Sequence, residues 1–438
     1  MSVLHIVHCI DTEGPLTETL PETFKRLKHA FGITLQPSKD NLFKLQNKII
    51  NLNGQEEAVA KMLSPELLSY NNSWADIDLM LEECMSDDFR MALPDDFNCG
   101  WVYSWHCMDH MSYPINPRHK DVGYGNVFRH YRDAILAHNS THDEINWHFH
   151  PVSITKNPLN AATSYTNSYH VLNEILCRRI LEDSWFPTVN RPGFHAERPD
   201  SHAFLEQWIP FDYANQFYED DVDQPDLSFG RFGDWARAPS SWRGYHPSQH
   251  DYQKPGDCNR TIFRCLNVGT RLRELNSSHI KQAFEEARQY NSAIIAFADH
   301  DYRDIRRDVL AFRNLLNSVR NHYSDVKIKF SGAESAAREL FGYTNVEPPK
   351  LTISISSDTI IVKSVATPIF GPQPFLALMS RDGHFYHDNL DVQEPGRIWT
   401  YKLDAQTLIP SALKLVGVGS AGLYGKFSVT CLDMGNFS

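Results

Sequence analysis

Two acids one residue apart, Asp11 and Glu13, follow a short apolar run from Val3 to Ile10, in the group Asp11-Thr12-Glu13-Gly14-Pro15. In extended backbone an i, i+2 spacing sends both side chains to one side, so one carboxylate can bind a cation while the other acts on its water. The spacing recurs in Trp147-His148-Phe149-His150-Pro151, where two imidazoles can face one centre from a single strand edge. Neutral imidazole and carboxylate are donors for one divalent ion, zinc first, with cobalt, nickel or iron as alternatives. His142 and Asp143, just upstream, are candidates to support those ligands.

Further polar groups suit substrate more than metal. His106, Asp109 and His110 cluster in the run GWVYSWHCMDHMSY from Gly100 to Tyr113. The region Asp220 to Gly269 has little periodicity and carries Phe229-Gly230-Arg231-Phe232-Gly233-Asp234-Trp235 and Trp242-Arg243-Gly244-Tyr245-His246-Pro247. A connection this long without regular structure is usually functional or disordered, and its rigid rings can stack on sugars while arginines meet hydroxyl or acidic groups. His106, His110, Arg231, Trp235, Trp242, Arg243, Tyr245 and His246 are therefore the substrate-binding candidates, with Arg237 beside them. The competing expectation is that these aromatics merely cover a barrel mouth.

These residues need elements to carry them. The apolar run Val3 to Ile10 reads as a buried strand delivering acids to its carboxyl end, where α/β folds gather their chemistry. Strands are expected at Gly100 onward, at Glu144 to Phe149, at Trp185 to Asn190, at Ser292 to Ala298 and at Val326 to Phe330. Helices are expected at Gly54 to Leu68, Ser73 to Cys84, Asn126 to His138, Tyr165 to Glu182, from a Ser277 or Ser278 cap to Tyr290, Asp304 to Asn321, and Ala333 to Phe341. This rhythm predicts an α/β fold from residue 3 to 341. Near Asn345-Val346-Glu347-Pro348-Pro349 the helical period stops, and Leu351 to Ile355 and Thr359 to Lys363 begin a β-rich tail. Gly417, Gly419, Gly422 and Gly425 read as turn residues there.

Composition sets the outer bounds. The 438 residues carry 42 Lys plus Arg and 54 Asp plus Glu, a net charge of −12, which argues against broad attraction to nucleic acid or anionic membrane. The eight cysteines form no CxxC pair and read as reduced thiols. No basic leader and no run of 18 apolar residues is present, so the chain is expected to be cytoplasmic, unanchored and without a membrane partner. Assembly into a homo-oligomer is left open. No GxSxG elbow singles out a serine nucleophile, and no phosphate-binding GxxxxGK[ST] loop is present.

Taken in order, these motifs resemble the NodB-homology polysaccharide deacetylases, the carbohydrate esterase family 4 group. The resemblance implies that Asp11 is the base and Glu13, His148 and His150 the metal ligands, although the family usually separates its two histidines by three residues and here one intervenes. It further implies that Arg191, in Arg191-Pro192-Gly193, holds Asp11, and that His300, after Ala296-Phe297-Ala298, protonates the leaving group with Asp212 orienting it. The implied architecture is a distorted NodB-like (β/α) barrel over 1–344, with a long aromatic loop region at 220–269, followed by a small all-β, sandwich-like domain over 345–438. The implied activity is metal-dependent hydrolysis of an N-acyl group, N-acetyl first, on a sugar or small glycoconjugate. The alternatives are hydrolysis of a formamide or non-sugar amide, and an inactive carbohydrate-binding or assembly protein.

Overall fold

The computed structural model describes residues 1–158, 164–219 and 233–436. Eight parallel strands form one sheet: Ser2–Thr12, Tyr103–Cys107, Glu144–Phe149, Val189–Pro192, Phe211–Asn215, Thr261–Asn267, Ser292–His300 and Val326–Phe330. Pairing of Ser2–Thr12 with Ser292–His300 closes seven of them into a barrel. The eighth, Val326–Phe330, shares an edge of the first strand with Tyr103–Cys107: Ser2 to Ile6 pair with the former and His8 to Thr12 with the latter. One edge thus serves two neighbours end to end, which distorts the ring.

Alternation along the strands separates two cores, because successive side chains leave a strand on opposite faces. Val7 and Cys9 pack with Val189, Phe211, Tyr213, Phe263, Cys265, Ile294, Ala296 and Ala298 inside the barrel. Ile6, Ile10, Tyr103, Trp105, Leu266, Ile295 and Phe297 pack outward against the helices. Continuing the inward series by two residues reaches Asp11 on the first strand, Arg191 after Val189, and His300 after Ala298. The same two-residue period that fills the barrel with small and apolar groups therefore places the polar ones at its carboxyl mouth.

The helices form where the apolar spacing and caps allow. Trp74–Cys84 starts at Ser73, whose Oγ accepts from Asp76 N at 3.2 Å, and Ile305–Arg320 starts at Asp304, which accepts from Arg306 N at 3.1 Å. The helix Ser277–Tyr290 is capped by Asn276, not by Ser277 or Ser278, since the Asn276 side chain accepts from both Ser278 N and His279 N. The segment expected from Gly54 to Leu68 is helical only over Glu56–Met62. The helices Leu20–Phe31, Lys39–Gln46, Asp87–Met91 and Pro199–Trp208 were not anticipated. The strand Thr261–Asn267 also corrects the reading of 220–269 as irregular: Arg264 breaks its apolar run, yet it completes the ring.

Residues 349–433 build two four-stranded antiparallel sheets. Leu351, Ile360, Val362 and Trp399 of one meet Leu376, Leu378, Val416 and Val418 of the other in a shared core. The second sheet is buried on its other face too: Phe375, Ala377 and Ala421 join a cluster with Leu172, Ile175, Leu176 and Ile180 of the helix Tyr169–Leu181. Gly417 and Gly419 lie inside the strand Leu413–Ala421, not in turns. A Cβ on Gly417 would fall 2.6 Å from Ile180 Cγ2, so glycine there lets the helix seat on the sheet. All eight cysteines are free. Among the described residues no helix is long and apolar enough to cross a membrane.

Candidate metal centre

Glu13, His148 and His150 converge, with one ligand atom from each lying within 4.8 Å of the others. His148 Nε2 and His150 Nε2 face each other at 2.9 Å, and His150 Nε2 lies 3.7 Å from Glu13 Oε1. The His148 ring is fixed from behind, where Nδ1 donates to the Arg191 carbonyl at 2.7 Å and leaves the Nε2 lone pair for the centre. Burial pushes the proton affinity of both imidazoles down, most strongly for His150, and a neutral imidazole is the form that binds metal. The donor set of two imidazoles and one carboxylate suits a single divalent ion of the zinc class. Spacing of one residue succeeds because His148 is the next-to-last residue of the strand Glu144–Phe149 while His150 lies just beyond its end, where the chain turns into Pro151.

Gly193 makes room for this arrangement. A Cβ at that position would lie 2.3 Å from His150 Cδ2, so only glycine permits the imidazole to approach. The next two residues, Phe194 and His195, hold positive φ of 55° and 49°, a conformation that costs about 1–3 kcal/mol for a side-chain-bearing residue. The turn puts the Phe194 ring edge-on to His150, with centroids 4.8 Å apart.

Asp11 is buried at 3 % exposure and accepts from Arg191 Nε at 2.6 Å through Oδ1. Arg191 is itself fully enclosed and also donates to the Tyr213 carbonyl at 3.0 Å, which fixes its plane. His300 Nε2 stands 3.8 Å from both Asp11 Oδ2 and Glu13 Oε1. Burial, followed by the charges of Arg303, Arg191 and Lys120, lowers the His300 proton affinity well below its ordinary value. The turn that carries Glu13 just beyond the first strand is held by Asp301, which accepts from Glu13 N at 2.8 Å, Gly14 N at 2.9 Å and Tyr131 Oη at 2.9 Å.

Other expected site residues are placed elsewhere. Asp212 accepts from Asn190 at 2.9 Å and from Arg260, which also holds Glu197; among the described residues it makes no bond to His300. Burial raises its pKa to about 7. Trp235, 1 % exposed, donates to the His195 carbonyl at 2.8 Å and packs on Tyr252. Trp242 is fully buried under the Arg264 guanidinium, and its carbonyl accepts from Ile294 N near the amino end of its strand, opposite the site. Arg243 stacks on Tyr290 at 4.8 Å, Tyr245 Oη donates to the Tyr252 carbonyl, and His246 bonds to the Arg260 carbonyl. These five hold the barrel wall and base and do not line the pocket. Arg231 lies outside the described residues. His106 is fully buried in register with Asp11, whereas His110 does line the pocket and contacts the Glu13 carbonyl at 3.0 Å. His142 is exposed, and Asp143 pairs with Arg90 at 2.6 Å, away from the centre.

The pocket that opens over Asp11, Glu13, His150 and His300 is walled instead by Tyr70, Tyr113, Arg118, Lys120, Tyr302 and Arg303. Lys120 reaches in and pairs with Glu13 Oε2. Burial lowers its pKa to about 7. Tyr302 and Arg303 directly follow His300-Asp301, so their proximity to the acid group was readable from the strand end. The loop bearing Arg118 and Lys120 offered no such signal. No family model matches the chain, and no curated protein matches it.

Proposed function

We propose that the chain hydrolyses an N-acyl group, N-acetyl first, from an amino sugar or sugar-bearing metabolite, using one divalent ion. The observation that carries this reading is the convergence of Glu13, His148 and His150 beside the Arg191-held Asp11, with His300 facing both acids across the pocket. Glu13, His148 and His150 would hold the ion. When bound, it supplies Lewis acidity that acidifies water and polarises an amide carbonyl.

The protein's own groups divide the remaining work. Arg191 occupies Asp11 Oδ1, which leaves Oδ2 to take a proton from the attacking water. His300 Nε2 faces that oxygen at 3.8 Å, takes over the proton that Asp11 has accepted and passes it to the departing amine nitrogen, so that an amide and water become a carboxylate and an ammonium group. His110 and Asp301 hold the backbone that carries Glu13, through the Glu13 carbonyl and amide respectively. The buried pocket floor limits competing water, and Tyr113 and Tyr302 give flat faces against which a sugar ring can rest.

The test is anomalous scattering at the transition-metal edges on crystals grown with added metal, paired with release of acetate from N-acetylated amino sugars. A peak ligated by Glu13, His148 and His150, with turnover lost in D11N, is the expected result. A differently ligated ion, or turnover that persists in D11N, would sink the assignment.

A further inference from the structure

The walls of the pocket are cationic in a chain whose net charge is −12. Arg26, Arg118, Lys120, Arg271 and Arg303 line it, against Asp11 and Glu13 at its floor. The floor acids already have basic partners, Arg191 for Asp11 and Lys120 for Glu13. Nearer the mouth one buried carboxylate, Glu18, serves two guanidiniums: Arg26 takes both oxygens at 2.8 and 2.9 Å, and Arg118 stands back at 3.9 Å. No carboxylate among the described residues lies within ion-pair distance of Arg303, and Arg118 Nε is buried without a hydrogen-bond partner among them. Among the described residues, Arg118 and Arg303 therefore bring positive charge to the mouth that no carboxylate there closely pairs.

These cations are also held in place. The Arg118 guanidinium sits 5.5 Å from the ring centres of both Tyr70 and Tyr302, which are 6.2 Å from each other. Arg303 and Lys120 approach the same Tyr302 ring at 5.2 and 4.7 Å. An aromatic face attracts a cation without neutralising it, so the donors stay available while their motion is restricted. A planar guanidinium fork fixed this way matches the oxygens of a phosphate or carboxylate.

We propose that Arg118 and Arg303 bind an oxyanion on the amine portion of the substrate, which makes the substrate an acidic N-acyl sugar, either a sugar phosphate or a sugar acid. This deepens the hydrolase reading and rests on it for the N-acyl group. The anion anchors one end of the molecule at the Tyr302 wall while the amide reaches the pocket floor.

The experiment compares three probes on the zinc-loaded full-length chain: neutral N-acetylglucosamine, N-acetylglucosamine 6-phosphate and N-acetylmuramate. Affinity is measured by calorimetry and turnover by acetate release, for wild type, R118A and R303A, with folding checked by circular dichroism. At least one charged probe is expected to bind tenfold or more tightly than the neutral sugar, with that preference falling to within about twofold in R303A and R118A. Preference for the phosphate ester or for the carboxylate identifies the source of the anion. Equal binding of all three probes, no binding of either charged probe, or a preference that survives both substitutions would overturn the proposal; should R118A fail to fold, R303A decides. Arginine-dependent anion binding without acetate release from any probe would defeat the hydrolase reading and leave the anion site standing. Turnover of the neutral sugar with kcat/KM equal to that of the charged ones would do the reverse.

Discussion

Arg191 and Asp11 lie 180 positions apart in the chain, yet the arginine donates to the acid at 2.6 Å with both side chains buried. Removing one partner of such a pair leaves an uncompensated charge in a dry interior, typically a loss of about 3–5 kcal/mol. R191A is expected to lose stability in that range and to fall in kcat together. D11N keeps the shape and removes the proton acceptor, so kcat should fall by about 10²–10⁴ while metal content is retained. Urea unfolding, metal analysis and acetate release on the same preparations separate the two effects.

Asp212 belongs to a buried ionic group with Arg260, Glu197 and Asn190, not to His300. D212N should therefore lower the unfolding free energy by a few kcal/mol, up to about 5, and leave the shape of the pH–rate profile unmoved. A shift of its basic or acidic limb would restore the link to His300.

Trp235 and Trp242 are packed structural groups, and either truncation to alanine should cost about 3–5 kcal/mol. KM should stay at the wild-type value at a temperature where the variants remain folded. By contrast, Tyr302→Ala, in the pocket wall, should raise KM. Steady-state kinetics beside thermal melts distinguishes the two kinds of aromatic.

His5 sits inside the barrel near its amino end, hydrogen-bonded to Ser331 Oγ at 3.1 Å, and burial lowers its pKa from 6.5 to about 4. Between those values the unfolded chain takes up a proton that the folded chain refuses, so stability falls as pH drops through this window. The contribution is intact above pH 6.5 and gone below about pH 4, a change of about 3 kcal/mol. His5→Gln should remove it, so that the variant gains on wild type as pH falls from 7 to 4. Denaturant midpoints at three pH values across the window measure this.

The barrel and the Glu13–His148–His150 cluster were legible because both depend on a period of two. Asp11, Glu13, His148 and His150 announce themselves by alternation, and strands such as Glu144–Phe149 and Val326–Phe330 by their apolar content. Thr261–Asn267 was hidden because Thr261, Arg264 and Asn267 look polar in sequence, although Arg264 finds partners in the Phe217 and Ser240 carbonyls. The substrate wall was misread for a different reason. A run rich in Trp, Arg and Tyr says that rings will pack, not on which end of a barrel, and the Trp242 segment returns to the amino end. The Leu20–Phe31 helix did carry a signal: Phe24, Leu27 and Phe31 lie at helical spacing, and Thr19 N donates to Glu22 Oε2 at 2.7 Å.

The helix Tyr169–Leu181 connects the strand that supplies His148 to the one that supplies Arg191, and its far side rests on Gly417 and Gly419 of the C-terminal sheet. The barrel consequently has no finished exterior at that point. A chain cut after the last barrel helix would bare Ile175, Leu176 and Ile180 to water and unsettle the connector between the strands that hold His148 and Arg191. The two parts are transplantable only as a pair, and any recombination that exchanges the tail must bring along a surface as bare of side chains as the present one.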